Sequence, residues 1–146
     1  MTRKYAADDA SLNTGAIITS RDKNFKDLNL LFQAIPGSGD VYKSKDAAAV
    51  KQSIRNLVLT NFYERPFNHG IGGNVRAALF ENNTAFTRLE IEDDIRRVIS
   101  NYEPRAKLKR VKITATGHHS VDILIEAQVI SVPEVVQINI SVERIR

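Results

Sequence analysis

Residues 110–115 (RVKITA), 121–129 (VDILIEAQV) and 136–143 (VQINISVE) decide the fold of this chain. In each segment an apolar residue stands at every second position, which is the period of a β-strand with one buried face. Short links around residues 117–120 and 131–134 separate the segments. Because consecutive strands joined by short links pair antiparallel, the sequence predicts a three-stranded antiparallel meander at its C-terminal end.

A segment with helical spacing lies upstream, beginning near residue 44 and ending near residue 61. Its apolar residues Val50, Ile54, Leu57 and Val58 recur every three or four positions and therefore share one helical face. Asp46 is predicted to cap the N-terminus, because a carboxylate accepts hydrogen bonds from the free amides of the first turn. The following stretch contains proline and several glycines and is predicted to be a loop.

A second long helix is predicted from Thr84 or Thr87 to Tyr102. The segment from Thr87 to Glu90 has the spacing of a capping box, which makes Thr87 a candidate N-cap. Pro104 ends the helix, because a proline disfavours helical geometry in the residue before it. With a short helix expected at 74–80, the fold class is α+β, with an N-terminal arm and two or three helices packed on the C-terminal antiparallel three-stranded sheet.

The first 45 residues differ from the rest of the chain. Residues 1–24 are polar without a lasting period, residues 25–32 suit a short strand, and residues 34–40 form a turn cluster. We therefore divide the chain into an extended N-terminal arm, 1–45, and a domain, 46–146. The composition of the arm fits both a segment that a partner orders and a disordered tail.

The composition limits the function classes. A chain of 146 residues suits one domain with a real core. Cysteine is absent, which excludes disulfides, thiol catalysis and cysteine-ligated metals. No apolar run approaches the ~18 residues of a membrane span, and the charged N-terminus does not resemble a secretory signal. The net charge of +4 is spread along the chain, as on an ordinary solvated surface.

The predicted sheet has an open border. Its last strand runs almost to Arg146, and nothing that follows can cover its unpaired amides and carbonyls. A strand of another chain can add to such an edge. The alternative is that residues 25–32 pair with it internally, and the edge argument alone does not separate the two.

Three short motifs stand out upstream of the sheet: Arg65-Pro66-Phe67 with a glycine-bearing loop, residues 79–82 (LFEN), and Glu103-Pro104-Arg105. In this order and spacing the chain resembles the lysozyme-like baseplate wedge proteins of contractile phage tails, whose relatives include the TssE component of type VI secretion systems. The resemblance runs from about Ala47 to the C-terminus. A Glu-Pro-Arg triplet that closes a helix before a β-meander is the hallmark of this family.

The resemblance implies a structural, non-enzymatic part of a virion, located in the tail baseplate and assembled in the host cytoplasm. It implies six copies per baseplate that bind other baseplate wedge proteins and the tail sheath protein, with tail tube and hub proteins as further candidate partners. It also implies that the C-terminal sheet initiates sheath polymerisation by accepting strands from the first sheath ring. No cofactor, metal or membrane is implied.

The triplet also makes physical sense by itself. Pro104 fixes the corner between helix and strand, and a fixed Arg105 offers a planar fork of donors to a carboxylate or to helix-end carbonyls of a partner. An internal pair of Glu103 and Arg105 that braces the corner is the alternative. The residues expected to bind partners are Glu103, Pro104, Arg105 and Arg65, together with Ile138, Ile140 and Val142 on the last strand.

A peptidoglycan-cleaving muramidase is one rival function. A glycosidase needs two carboxylates across a cleft, one of them kept protonated by an apolar pocket. The candidates are Glu64, Glu81 and Glu103, but Arg65 and Arg105 beside two of them are expected to lower the carboxylate pKa, which is the wrong direction for a general acid. The chain also has no Trp to stack on a sugar.

A weak nucleic-acid-binding module is the second rival. Lys107, Lys109, Arg110 and Lys112 form a basic cluster on the first strand of the sheet, without aromatic stacking residues or a known motif. Such a strand equally suits an acidic protein partner. The adjacent histidines at 118–119 lack the spacing of metal ligands and are predicted to be turn residues.

Two expectations follow from the sequence. Arg105→Ala is expected to fold normally and to fail to join a baseplate. Deletion from Asn139 onward is expected to leave the wedge contacts in place and to block growth of the sheath, because it removes the open edge.

Overall fold

The secondary-structure elements follow the order expected of an α+β fold. The computed structural model describes residues 25–82, 84–117, 120–130 and 134–144. The predicted fold class is confirmed, with helices preceding and covering a C-terminal antiparallel sheet. The elements are β1 (Lys26–Leu28), β2 (Lys43–Lys45), α1 (Asp46–Leu59), α2 (Val75–Ala78), α3 (Ala85–Tyr102), β3 (Ala106–Ala115), β4 (Ser120–Val129) and β5 (Val135–Glu143).

The three long strands form the predicted meander, in the order β3-β4-β5 with both pairings antiparallel. Ile123 at the centre of β4 lies opposite Ile113 of β3 and Ile140 of β5. A β-bulge between Leu108 and Arg110 shifts the register of β3. The alternation of the sequence holds along β4 and β5, so that one face of each strand is buried and the other is open to solvent.

Helices α1 and α3 cover the buried face of the sheet. Their core side chains, among them Ile54, Val58, Ile95 and Ile99, pack with Ile125 of β4 in one hydrophobic cluster. Each such side chain contributes roughly 1.5–3 kcal/mol relative to an exposed one. No helix within the described ranges is long and apolar enough to cross a membrane.

Both predicted helix caps are wrong. The N-cap of α1 is Lys45 without a side-chain cap, and the carboxylate of Asp46 instead accepts from the amide of Phe25 at 3.1 Å. The N-cap of α3 is Thr84, whose Oγ1 accepts from the amide of Thr87 at 3.1 Å. The capping-box spacing therefore selected Thr87, which lies three residues after the true cap. The hydroxyl of Thr87 donates to the carbonyl of Asn82.

The end of the predicted arm is a small hairpin in which β1 pairs antiparallel with β2. The hairpin is tied to α1, because the Asp46 amide donates to the Phe25 carbonyl at 2.8 Å and Gln52 Nε2 donates to the Leu28 carbonyl at 2.7 Å. Contacts thus cross the proposed boundary between residues 45 and 46, which stays a prediction. The part of the arm before Phe25 lies outside the described residues.

Candidate partner-binding site

The Glu103-Pro104-Arg105 corner joins the end of α3 to the start of β3. The Glu103 amide still donates to the carbonyl of Ile99 in the last turn of α3, at 2.9 Å. The Arg105 carbonyl accepts from the amide of Ile130, just after β4, at 3.0 Å. The corner is therefore fixed from the helix on one side and from the sheet on the other.

Glu103 and Arg105 form a bidentate ion pair across Pro104. Arg105 Nε donates to Glu103 Oε1 at 2.6 Å, and Arg105 Nη2 donates to Glu103 Oε2 at 2.9 Å. The Glu103 side chain is only 2% exposed, whereas that of Arg105 is 24% exposed. Of the two interpretations left open by the sequence, the internal brace is thus present in the chain itself.

The guanidinium of Arg105 has a second carboxylate partner. Its Nη1 donates to Asp27 Oδ2 of β1 at 3.1 Å, and it lies over the ring of Phe25 at 5.5 Å from the ring centroid. Arg105 therefore links the corner to the hairpin as well as to Glu103. A partner can reach only the remaining exposed part of the guanidinium and the exposed Pro104.

The ion pair sets the protonation of both groups. Burial raises the pKa of Glu103, but hydrogen bonds from Arg105 and Ser53, with the charge of Arg105, outweigh it and hold that pKa below its usual range. The hydrogen bond to Glu103 raises the pKa of Arg105, more than burial opposes it. Both side chains are therefore charged at neutral pH.

The lowered pKa of Glu103 predicts a dependence of stability on acid. The pair stabilises the fold above the unfolded-state pKa of about 4.3, and this stabilisation is lost as the pH falls further, through the folded-state pKa. We expect the urea midpoint of the wild type to fall more steeply with acid below that pH than the midpoint of Glu103→Gln. The other carboxylates titrate in both proteins, so equal slopes would contradict the prediction.

The loop that carries Arg65 lies on the surface. Arg65 is exposed, as a partner-binding residue must be. Phenylalanine and leucine are usually buried, but Phe67 in this loop is 100% exposed with φ +71°, and Phe80 is also exposed, whereas Leu79 is buried. The loop turns the ring of Phe67 outward, against the preference of its residue type.

The side chains of Ile138, Ile140 and Val142 are buried in the core. A partner that adds a strand therefore pairs with the backbone of β5 at these positions, not with the three side chains. The hairpin strand β1 pairs with β2 and not with β5. Across the described ranges, no strand pairs with the outer edge of β5, so the internal pairing considered from the sequence is absent there.

A protein-family model matches the part of the chain that contains this corner. The model described as baseplate wedge protein gp25 matches residues 44–134, a range that contains α1, α3 and the corner. The chain belongs to the baseplate wedge protein gp25 family. The resemblance drawn from the three motifs is thereby confirmed.

A curated relative and a solved baseplate structure are consistent with membership of this family. Baseplate wedge protein gp25 of Enterobacteria phage T4 is 35% identical over 66 residues, covering 45% of this chain and 50% of that protein. The chain thus spans half the length of this curated relative. A chain in the cryo-EM baseplate of the anti-feeding prophage superposes with a TM-score of 0.64 and 28% identity, over 73% of this chain and 86% of that one.

Two more distant structures share the fold. A chain in the postcontracted baseplate of pyocin R2 has a TM-score of 0.54 and 21% identity, over 66% of this chain and 96% of that one. A Geobacter sulfurreducens protein described as a candidate tail lysozyme has a TM-score of 0.59 and 21% identity, over 67% of this chain and 90% of that one. The gp25 family match and the baseplate neighbours support a structural component located in the tail baseplate.

The carboxylates considered for a muramidase do not suit that chemistry in this gp25 family member. Glu103 is buried, ion-paired and held charged, so it is neither accessible to a sugar nor a proton donor. Glu64 is exposed and accepts from the amide and from the side chain of Asn61 at 3.0 and 2.8 Å. Glu81 is also exposed and so lacks the apolar pocket that a general acid requires.

The basic strand considered for nucleic acid has a mixed charge environment. Lys107, Lys109, Arg110 and Lys112 of β3 are all exposed, but Arg110 lies directly opposite Glu126 of β4. A neighbouring carboxylate weakens the attraction of such a strand for phosphates. The histidines at 118–119 lie outside the described residues, and no group of three or more potential metal ligands occurs within the described ranges.

Sequence reasoning missed the two arm residues that complete the corner. Asp27 and Phe25 lie 78 and 80 positions before Arg105, and no spacing rule connects them. Asp27 is the single acidic residue of the 25–32 segment, but its position alone does not identify the arginine that it bonds.

Proposed function

We propose that this chain is a structural, non-enzymatic component of a contractile-tail baseplate that docks on other wedge proteins and initiates the tail sheath by accepting a strand at β5. The wedge partners lie against the corner at Pro104 and Arg105 and against the exposed loop that carries Arg65. Tail tube and hub proteins are further candidate partners. Six copies act around the tail axis, in line with the six-fold symmetrised baseplate that holds a similar chain.

The open edge of β5 is the observation that carries this proposal. The strand has nine residues, or roughly 30 Å at about 3.3 Å per residue. Along that length every second residue directs its amide and carbonyl away from β4. An edge of this length that stays uncovered favours strand addition by another chain.

The corner supports the docking part of the proposal through its rigidity. A bidentate ion pair, a proline and backbone bonds from α3 and from Ile130 hold the surface in one shape. A preformed surface loses little conformational entropy when it binds. Arg105 therefore acts in docking mainly by bracing the surface around Pro104.

Backbone amide exchange tests strand addition at β5. In the isolated protein we expect every second amide of β5 to exchange freely, because its N–H points to solvent. In sheathed tails the same amides are expected to be protected by about a hundredfold or more. The amides of β4, which lies between two strands, are the control and stay protected in both states.

Two outcomes would contradict the proposal. One is protection of all β5 amides in the isolated protein, which means that the chain covers its own edge. The other is continued free exchange at alternate β5 amides in sheathed tails, which means that no strand has been added there.

Truncation at Asn139 is a poorer test than the sequence suggested. Ile140 and Val142 are buried and lie opposite Ile123 and Val121 of β4. Removing them exposes the core face of the central strand. The truncated chain is therefore expected to unfold, a result that says nothing about the sheath.

A further inference from the structure

A groove of about 410 Å³ lies at the C-terminal end of β5, between that strand and helices α1 and α2. Its apolar lining comes from Leu59, Leu79, Phe80 and Val142. The charged lining consists of Arg55, Arg76, Arg144 and Glu143. Three guanidinium groups and one carboxylate give the groove a net positive charge.

The groove lies beside the last residues of an edge strand. β5 is the outer strand of the sheet, and residues 141–144 all line the groove. The rest of the lining comes from α1, from α2 and from the two residues after α2. The groove therefore lies next to the end of the strand to which an added strand would pair.

The three arginines have no carboxylate partner in the part of the chain that the structure describes. This sets them apart from Arg96, Arg97 and Arg105, each of which is 2.6 Å from a carboxylate oxygen. Glu143 lies at the groove but forms no ion pair with a described residue. Among the described residues, the groove thus keeps a net positive charge.

Arg144 gives the most specific signal. Its guanidinium lies over the ring of Phe80, 4.8 Å from the ring centroid, which holds it in place. Its Nε is buried and has no hydrogen-bond acceptor among the described residues. The residue as a whole is partly exposed, so a partner reaches the rest of the guanidinium rather than this nitrogen.

We propose that this groove binds the carboxylate of an Asp or Glu side chain carried by the strand that adds to β5. The inference rests on the proposed function, since it names the chemistry of the partner strand at that same edge. A carboxylate matches the fork of a guanidinium with two parallel hydrogen bonds and offsets the net positive charge of the groove. The acidic side chain then fixes the register of the added strand.

The test is a titration followed by NMR at the arginine Nε–H signals of the folded protein. The probes are N-acetylglutamate amide and its neutral counterpart, N-acetylglutamine amide, with inorganic phosphate and a single-stranded DNA oligomer as further arms. We expect a saturable shift of the Arg144 signal with the glutamate compound and an affinity lower by about tenfold or more for the glutamine compound. Arg76→Gln is expected to weaken glutamate binding severalfold.

The matched control is Arg96→Gln, which removes the same charge from an exposed pair on α3 and is expected to leave glutamate binding unchanged. Equal binding of the glutamine compound, or an Arg144 signal that does not respond to glutamate, would overturn the inference. Binding of phosphate or DNA tenfold more tightly than glutamate would assign the groove to a nucleic acid instead.

The amide-exchange experiment separates this inference from the proposed function. Suppose that alternate β5 amides become protected on assembly while the Arg144 signal does not respond to glutamate. Strand addition is then supported, and the binding of an acidic side chain in the groove is contradicted. If Arg144 binds glutamate while the β5 amides stay unprotected in sheathed tails, the groove binds carboxylates, but strand addition is contradicted and so is the assignment of that carboxylate to an added strand.

Discussion

Arg105→Ala is expected to lower the free energy of unfolding by about 3 kcal/mol, at the low end of the cost of breaking a buried ion pair because Arg105 keeps some exposure. The substitution leaves the carboxylate of Glu103, which is 2% exposed, without its main counter-charge. It also removes the link to Asp27 in the hairpin. Urea denaturation at neutral pH measures the effect.

A control and a rescue variant make this prediction specific. Arg96→Ala breaks an ion pair on the exposed face of α3, with Glu92, and should change stability by only about 0–1 kcal/mol. The double variant Glu103→Gln, Arg105→Met removes both charges and is expected to recover part of the loss, since the unpaired buried charge is gone. Equal losses in the single and double variants would contradict the ion-pair explanation.

This expectation revises the one drawn from the sequence, in which Arg105→Ala folds normally and only fails to assemble. A failure of Arg105→Ala to enter baseplates would now have two causes, lost docking and lost stability. The double variant separates them, because it recovers part of the stability without restoring the guanidinium.

The second large effect is expected at the glycines that close the loop after α1. Gly72 has φ +144°, and a Cβ there would overlap the carbonyl oxygen of Thr60. A Cβ on Gly73 would lie 2.8 Å from the carbonyl oxygen of Val58. We expect Gly72→Ala to cost about 3 kcal/mol or more, from backbone strain and overpacking together.

Gly70→Ala is the matched control in the same loop. An added Cβ there meets only the hydroxyl of Tyr102, at 3.7 Å, which is an ordinary contact. We expect its urea midpoint to stay near that of the wild type, with a change in stability within about 0.5 kcal/mol. A Gly72→Ala protein as stable as Gly70→Ala would show that the loop can shift away from α1.

The close approach has a structural purpose. The Gly73 amide donates to the carbonyls of Leu57 and Thr60, at 3.1 and 3.0 Å. These carbonyls belong to the end of α1, where helical partners run out. The glycines therefore let the loop backbone come near enough to terminate the helix, which side chains at these positions would prevent.

Features with a short period could be predicted from the sequence, and features that depend on distant contacts could not. The alternation from Val121 to Val129 and from Val136 to Glu143 fixed the strands and their buried faces, because one-face burial requires a period of two. The positions of Pro104 and Tyr102 likewise fixed the end of α3. Both signals are local and strong.

The cap predicted at Asp46 and the contacts of Arg105 show that rules based on sequence spacing do not predict contacts between distant parts of the chain. Asp46 has the chemistry of an N-cap, but the amide of Phe25, 21 positions earlier, takes its carboxylate. Arg105 was expected to face a partner, but Asp27 and Glu103 engage it within the chain. The hairpin end supplies the group that competes for Asp46 and one of the two carboxylates that engage Arg105. Its short strands leave too weak a pattern to predict its packing.

Arg105 also joins a part of the chain inside the gp25 family match to a part outside it. The gp25 family match begins at residue 44, so β1 lies upstream of it, whereas the corner lies inside it. The Arg105 guanidinium bonds to Asp27 of the upstream segment while its other nitrogens keep their bonds to Glu103. The remaining links from α1 to this segment, through Asp46 and Gln52, use its backbone amide and carbonyl groups. Asp27 therefore supplies the side chain that this attachment requires, and a different leading segment would need an acidic residue in the same place to bond Arg105 without rebuilding the corner.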